Sequence, residues 1–164
     1  MLHLTKLTLA CGLLASMASY GQAQSEQPKH YHLDFAVKEL DGGKVTNTRH
    51  YFATAATGEG HKCNLRNGSK LPLIINDKGE VTYLDVGVNI DCNNVFEKDG
   101  DLVLDLEAEI SSAVPGNTKQ PVIRQNKWRS NVTVPIGKPT VIFSSDDVSS
   151  KGQVQFELTA TPIK

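Results

Sequence analysis

From His30 onward, apolar and polar residues alternate with period two, and no stretch repeats every 3.6 residues as an amphipathic helix would. In Tyr31–Leu40, Leu33, Phe35 and Val37 share a face, and Asp41-Gly42-Gly43 supplies a turn. Lys44–Ala56 is a second strand, less clearly sided. Thr57–Gly60 turns the chain into His61–Asn67, where His61, Cys63 and Leu65 oppose Lys62, Asn64 and Arg66. Asn67-Gly68 reads as another turn, followed by Lys70–Ile75.

The clearest alternation lies in Tyr83–Ser112. Leu84, Val86, Val88, Ile90 and Cys92 face one way, and Tyr83, Asp85, Gly87, Asn89 and Asp91 the other. After the Lys98-Asp99-Gly100 turn, Leu102, Leu104, Leu106, Ala108 and Ile110 oppose Asp101, Val103, Asp105, Glu107 and Glu109. A slip of one residue would bury the carboxylates, so the register is strongly set. A loop at 114–119 precedes a long strand from Pro121 to Pro135, with a bend expected near Asn126-Lys127. A turn at Ile136–Lys138 leads into Pro139–Ser145, apolar on both faces and therefore expected at the centre of a sheet. A polar turn over 146–152 precedes Gln153–Ile163, with Val154, Phe156, Leu158 and Ala160 inward. The pattern predicts an all-β domain of about eight mostly antiparallel strands, a sandwich or a partly open barrel.

Composition narrows the class. The 164 residues are 39% hydrophobic and 21% charged, which suits one folded domain, and the net charge of -1 gives no nucleic-acid footprint. Lys6, the apolar run after it and the small residues Gly21 and Ala23 read as a secretory signal peptide over 1–23, cut after Ala23. A lipoprotein site at Cys11 is disfavoured because Thr8 stands where a branched apolar residue belongs. Residues 24–29, with Pro28, read as a flexible tail, and 30–164 as a single domain. Export leaves Cys63 and Cys92, both on apolar strand faces, as a candidate disulfide; two buried free thiols are the alternative.

Candidate chemistry is sparse. His30, His32 and Asp34 could approach a metal from one strand, but no third strong ligand has diagnostic spacing. Asp105, Glu107 and Glu109 could act as acid–base or calcium groups, or simply pair with Arg124, Lys127 and Arg129 across strands. Ser111-Ser112 and Ser144-Ser145 fit no nucleophile motif. Asn67 and Asn131 begin glycosylation-type triplets. Gly87, in mid-strand, marks a bulge or a close backbone approach. No cofactor motif, metal set or catalytic constellation is read, and a non-enzymatic protein is expected.

Ordered motifs from Gly43 to Lys164 resemble the C-terminal β-domain of bacterial secretins, the outer-membrane channels of secretion and pilus systems. They are the segment ending in Gly68 and Pro72, the Tyr-x-x-Val-Gly-Val strand with Val86, Gly87 and Val88, and the strand opened by Asp99-Gly100 and closed by Glu109 and Ser111. The Pro121/Arg124 segment with the Gly137 turn, and the closing Thr161-Pro162, complete the set. The chain departs from the family after its apolar strand, where Ser144-Ser145-Asp146-Asp147 replaces a double glycine. Only 148–152 then precede the last strand, where the family has a long insert, and the family's N-terminal ring domains are missing. The resemblance implies a stripped secretin β-core. A bacterial source, which it also implies, would make the glycosylation triplets incidental.

Strand alternation suits a pore wall and a soluble core equally. Only 6% aromatic residues, one tryptophan (Trp128) and a short most-apolar strand favour the soluble core. The expectation is a structural or interaction module of the envelope, periplasmic or secreted and tied to protein secretion. It would bind a protein partner or itself through strand edges and bind no nucleic acid. A minimal outer-membrane channel subunit and a small ligand-binding sandwich are the alternatives.

Overall fold

A computed structural model describes residues 27–76, 78–114, 121–146 and 152–164. The expected signal peptide, the loop over 115–119 and the turn over 147–151 lie outside these residues. Eight strands form: β1 (His30–Asp41), β2 (Lys44–Ala56), β3 (Cys63–Ile74), β4 (Val81–Lys98), β5 (Asp101–Val114), β6 (Val122–Pro135), β7 (Thr140–Asp146) and β8 (Gly152–Pro162). They make two four-stranded sheets, sheet A in the order β2-β1-β8-β7 and sheet B in the order β3-β4-β5-β6, antiparallel throughout. The sheets are not closed into a barrel. Among the described residues no helix is long and apolar enough to cross a membrane.

The inward sets read from the alternation form the core. Leu33, Phe35, Ile90, Leu102, Leu104, Leu106, Phe156 and Leu158 are fully buried. Phe35 stacks on Phe156 at 5.8 Å, and Trp128 of β6 meets Phe156 edge-on at 5.7 Å and lies parallel to Phe143 of β7 at 5.1 Å. This aromatic seam bridges the two sheets. Cys63 and Cys92 lie directly opposite each other and form the disulfide, with Cα atoms 4.8 Å apart. It staples edge strand β3 to its inner neighbour.

Two local expectations are corrected. Asn67-Gly68 is not a turn: β3 runs straight through it, and the reversal comes at Asn76–Glu80, where the Asn76 side chain accepts from the Lys78 and Glu80 amides. Strand β7 is an edge, not a centre. Its register shifts between Val141 and Phe143, so consecutive Ile142 and Phe143 both pack on the core while Val141 stays exposed. A bulge, rather than burial on both faces, accounts for its unbroken apolar run. Strand β6 pairs with β5 in one register over its whole length, through Asn126 and Lys127. A further shift, unread in the sequence, lies in β4: Asn94 adopts φ 49° and returns Val95 to the core only three positions after Cys92.

Candidate interaction surface

Charge is segregated by strand. The edge strands β2, β3 and β6 carry lysine and arginine but no carboxylate, whereas β5 carries carboxylates and no cation. Each cationic edge leans on its inner neighbour. Arg49 of β2 pairs with Glu39 of β1, and His50 Nδ1 lies 2.9 Å from Asp34. Arg66 of β3 donates to both Asp91 oxygens at 2.8 Å and also to the Ile90 carbonyl, while Lys70 reaches Asp85 at 3.4 Å. Lys127 of β6 lies 3.1 Å from Glu107 and 3.8 Å from Glu109. The Asp105 carboxyl is held below the ordinary carboxylate range by hydrogen bonds from Asn131 and Asn94, with the Arg129 charge assisting.

The carboxylate row on β5 is thus engaged in pairing and is not poised for acid–base work. The cavity beside it, about 210 Å³, is lined by Arg66, Asn89, Asp91, Glu107, Glu109 and Lys127. A face so charged suits water rather than lipid, because a lysine or arginine at the bilayer midplane costs about 2–4 kcal/mol. In this part of the Tyr83–Ser112 hairpin one face packs in the core and the other carries the charges.

The other candidates are also occupied by local contacts. His32 stacks on Phe52 at 5.3 Å, and Asp34 takes His50, so the His30/His32/Asp34 set does not converge. No group of three metal-binding side chains occurs among the described residues. Asn131 donates to Asp105, Asn67 lies inside β3, and Ser145 donates to the Asp146 carbonyl. Lys29, counted with the tail in the sequence, is anchored: its backbone exchanges hydrogen bonds with Thr57, and its ammonium reaches Glu97 at 2.7 Å. The buried Tyr31 hydroxyl donates to the same carboxylate at 2.6 Å. Hydrogen bonds from Lys29 and Tyr31 hold Glu97 below its ordinary value, and burial chiefly pushes the Tyr31 phenol up to about 12. A second cavity, about 270 Å³, opens beside this clasp.

The surface changes character at the far end of sheet B. The β4–β5 ladder runs from Lys98/Asp101 to Val88/Ile110 and stops, yet both strands continue. Beyond that point β4 pairs only with β3, and β5 only with β6. The β3–β4 ribbon projects as an arm. Between the Lys70–Asp85 pair and the turn that starts at Asn76, both of its strands are free of charge. Leu71, Leu73 and Leu84 lie on its core-side face, and Pro72, Ile74, Val81 and Tyr83 on the other. Tyr83 is 64% exposed, Ile75 58% and Ile74 56%. Val122 of β6 adds another exposed apolar residue at the same end.

The positions singled out by motif lie mainly at this fork and at turns. Gly68 faces Gly87 at the base of the arm, and the Gly87 amide donates to the Ser111 hydroxyl at 3.1 Å. Pro72 is on the arm, and Val86 lies one residue beyond the fork from buried Val88. Asp99 and Gly100 form the β4–β5 turn, both at positive φ. Glu109 meets Lys127, Arg124 faces Ser112, and Pro121 precedes β6. Gly137 turns β6 into β7 and donates to the Ala160 carbonyl at 2.8 Å, joining the sheets. Thr161 and Pro162 close β8 opposite His32 and Tyr31. Sequence reasoning missed the arm because its strands look like any alternating hairpin; the absence of charge from Leu71 to Ile75 was the available signal.

This two-sheet arrangement matches solved secretin structures. The secretin InvG of the Salmonella SPI-1 type III secretion injectisome aligns with a TM-score of 0.52 at 12% identity, over 84% of this chain and 64% of that one. The fold is that of the secretin β-domain. A chain of the Klebsiella pneumoniae type II secretion outer membrane complex of PulD, PulS and the PulC HR domain aligns equally well. Its TM-score is 0.52 at 10% identity, covering 84% of this chain and 38% of that one. InvG in the basal-body assembly with PrgH and PrgK matches over 84% of this chain and 45% of that chain, with a TM-score of 0.52 and 12% identity. The present chain therefore spans less than two thirds of each of these secretins. No protein-family model and no curated protein matches its sequence.

Proposed function

We propose that this chain is an exported, non-enzymatic envelope module that serves protein secretion as a structural or interaction element. It docks a protein partner, or further copies of itself, through the apolar arm and the strand edges beside it. The arm carries this reading. A ribbon end without charge, with Ile74, Val81 and Tyr83 exposed on one face and Leu71, Leu73 and Leu84 only half-buried on the other, is costly for an isolated monomer, and such patches mark association sites. The neighbouring secretins, solved in assemblies with PrgH and PrgK or with PulS and PulC, support a protein partner.

A minimal outer-membrane channel subunit is the second reading, favoured by the same two-faced arm and opposed by the charged outer face of sheet B. The small-ligand reading gains no support, since both cavities, at about 210 and 270 Å³, fall below the usual range for ligand sites.

Expression through its own leader in a bacterial host, separation of soluble periplasm from envelope, and light scattering with and without detergent test the proposal. The expected result is oligomers or envelope co-purification, lost in an Ile74→Lys/Val81→Glu variant. A soluble monomer unaffected by that change would overturn it, and a large detergent-requiring ring would select the channel reading.

A further inference from the structure

The base of the arm holds a contact that no turn or core requirement explains. Gly68 and Gly87 sit opposite each other where the β4–β5 ladder ends. Their backbones approach more closely than side chains allow. A Cβ on Gly87 would lie 2.5 Å from the Gly68 Cα, and one on Gly68 would run into the Val86 carbonyl. Gly87 also adopts φ 144°, a conformation that L side chains rarely take. The strand is therefore free to change direction at this one level.

The Gly87 amide, which the ladder no longer serves, donates instead to Ser111 Oγ at 3.1 Å. Ser111 is buried, at 8% exposure. Its hydroxyl links the two ribbons at the level where they part.

We propose that the facing Gly68–Gly87 pair is a pivot, and that the Ser111 hydroxyl is the latch that sets the angle of the β3–β4 arm. Release of the latch swings the arm further from β5 and β6 and gives a partner strand access to the facing edges of the two ribbons, which are already unpaired beyond Val88 and Ile110. Retention keeps the fork narrow. This regulation rests on the reading of the arm as the docking element, but it is measurable without any partner.

Hydrogen exchange on the oxidised chain tests it residue by residue. In Ser111→Ala, the Gly87 amide, at the foot of the arm, should exchange up to about tenfold faster, the scale of one hydrogen bond of this kind. Ile90, Leu104 and Leu106 should not change, and Ser111→Thr, which keeps the hydroxyl, should restore protection. Unchanged exchange at Gly87, or an equal rise across all of sheet B, would overturn the latch. The outcome is separate from that of the docking proposal: an arm that swings but never associates sinks docking alone, and one that associates without a latch effect sinks the latch alone.

Discussion

Strands β3 and β4 build two unlike regions from one continuous hairpin. At the base they are covered by sheet A on the inside, joined by the Cys63–Cys92 disulfide, and wet by paired charges on the outside. Beyond Gly68 and Gly87 they keep the same alternation but lose the opposing sheet and the third strand, and past the Lys70–Asp85 pair they lose the charges as well. Alternation specifies a ribbon with two faces; what each face meets is decided by the neighbours. The base is held by its core, and the arm is held only by its own ladder.

Substitutions should separate the two regions. Leu104→Ala, at a fully buried base position, should cost about 2–5 kcal/mol in chemical denaturation. Loss of the disulfide in Cys63→Ala/Cys92→Ala should cost about 3 kcal/mol, given its 29-residue separation. Its effect on exchange should be concentrated in β3. The clasp of Tyr31 and Glu97 gives a pH signature at both ends. The Tyr31 phenol ionises in the unfolded chain near pH 10 but in the folded chain only near 12, so stability should fall as pH rises through that window. The Glu97 carboxyl is depressed on folding, so its contribution is present above the ordinary carboxylate range and is lost as pH falls through its folded value. Denaturation midpoints across pH should show both flanks, and Tyr31→Phe should remove the alkaline one. Leu73→Ala on the arm should move stability by no more than about 0.5 kcal/mol. A large loss there would mean that the arm is packed as tightly as the base.

Much of the base was legible because one buried face enforces period two. Leu102, Leu104 and Leu106 are inward as read, the two cysteines share a register level, and Asp99-Gly100 turns as its residue types require. The misses share a cause. Asn67-Gly68 reads as a turn by composition, but its glycine serves a close backbone approach to Gly87 on the returning strand of the same hairpin. Strand β7 reads as central because a bulge inverts its parity, and Val95 is missed for the same reason. Nor does the sequence announce that Trp128 seams the sheets, since that depends on which strands become neighbours, whereas the pairing of Lys127 with the β5 acids was among the readings it offered. Of the interaction surface, the motif residues were visible, but the fork that unites Gly68, Gly87 and Ser111 was not.

The two sheets also differ in how far apart along the chain their strands lie. Sheet B is a run of consecutive hairpins, β3 to β6, whereas the centre of sheet A joins β1 to β8. Contacts of long sequence separation form slowly. In a pulse-labelled refolding experiment the β4–β5–β6 amides should gain protection before those of β1 and β8. β1 can pair early with its neighbour β2, but its other edge stays open until β8 arrives. The last strand thus acts as the closing piece of sheet A: a chain halted short of Gly152 would leave β1 and β7 without the strand that joins them.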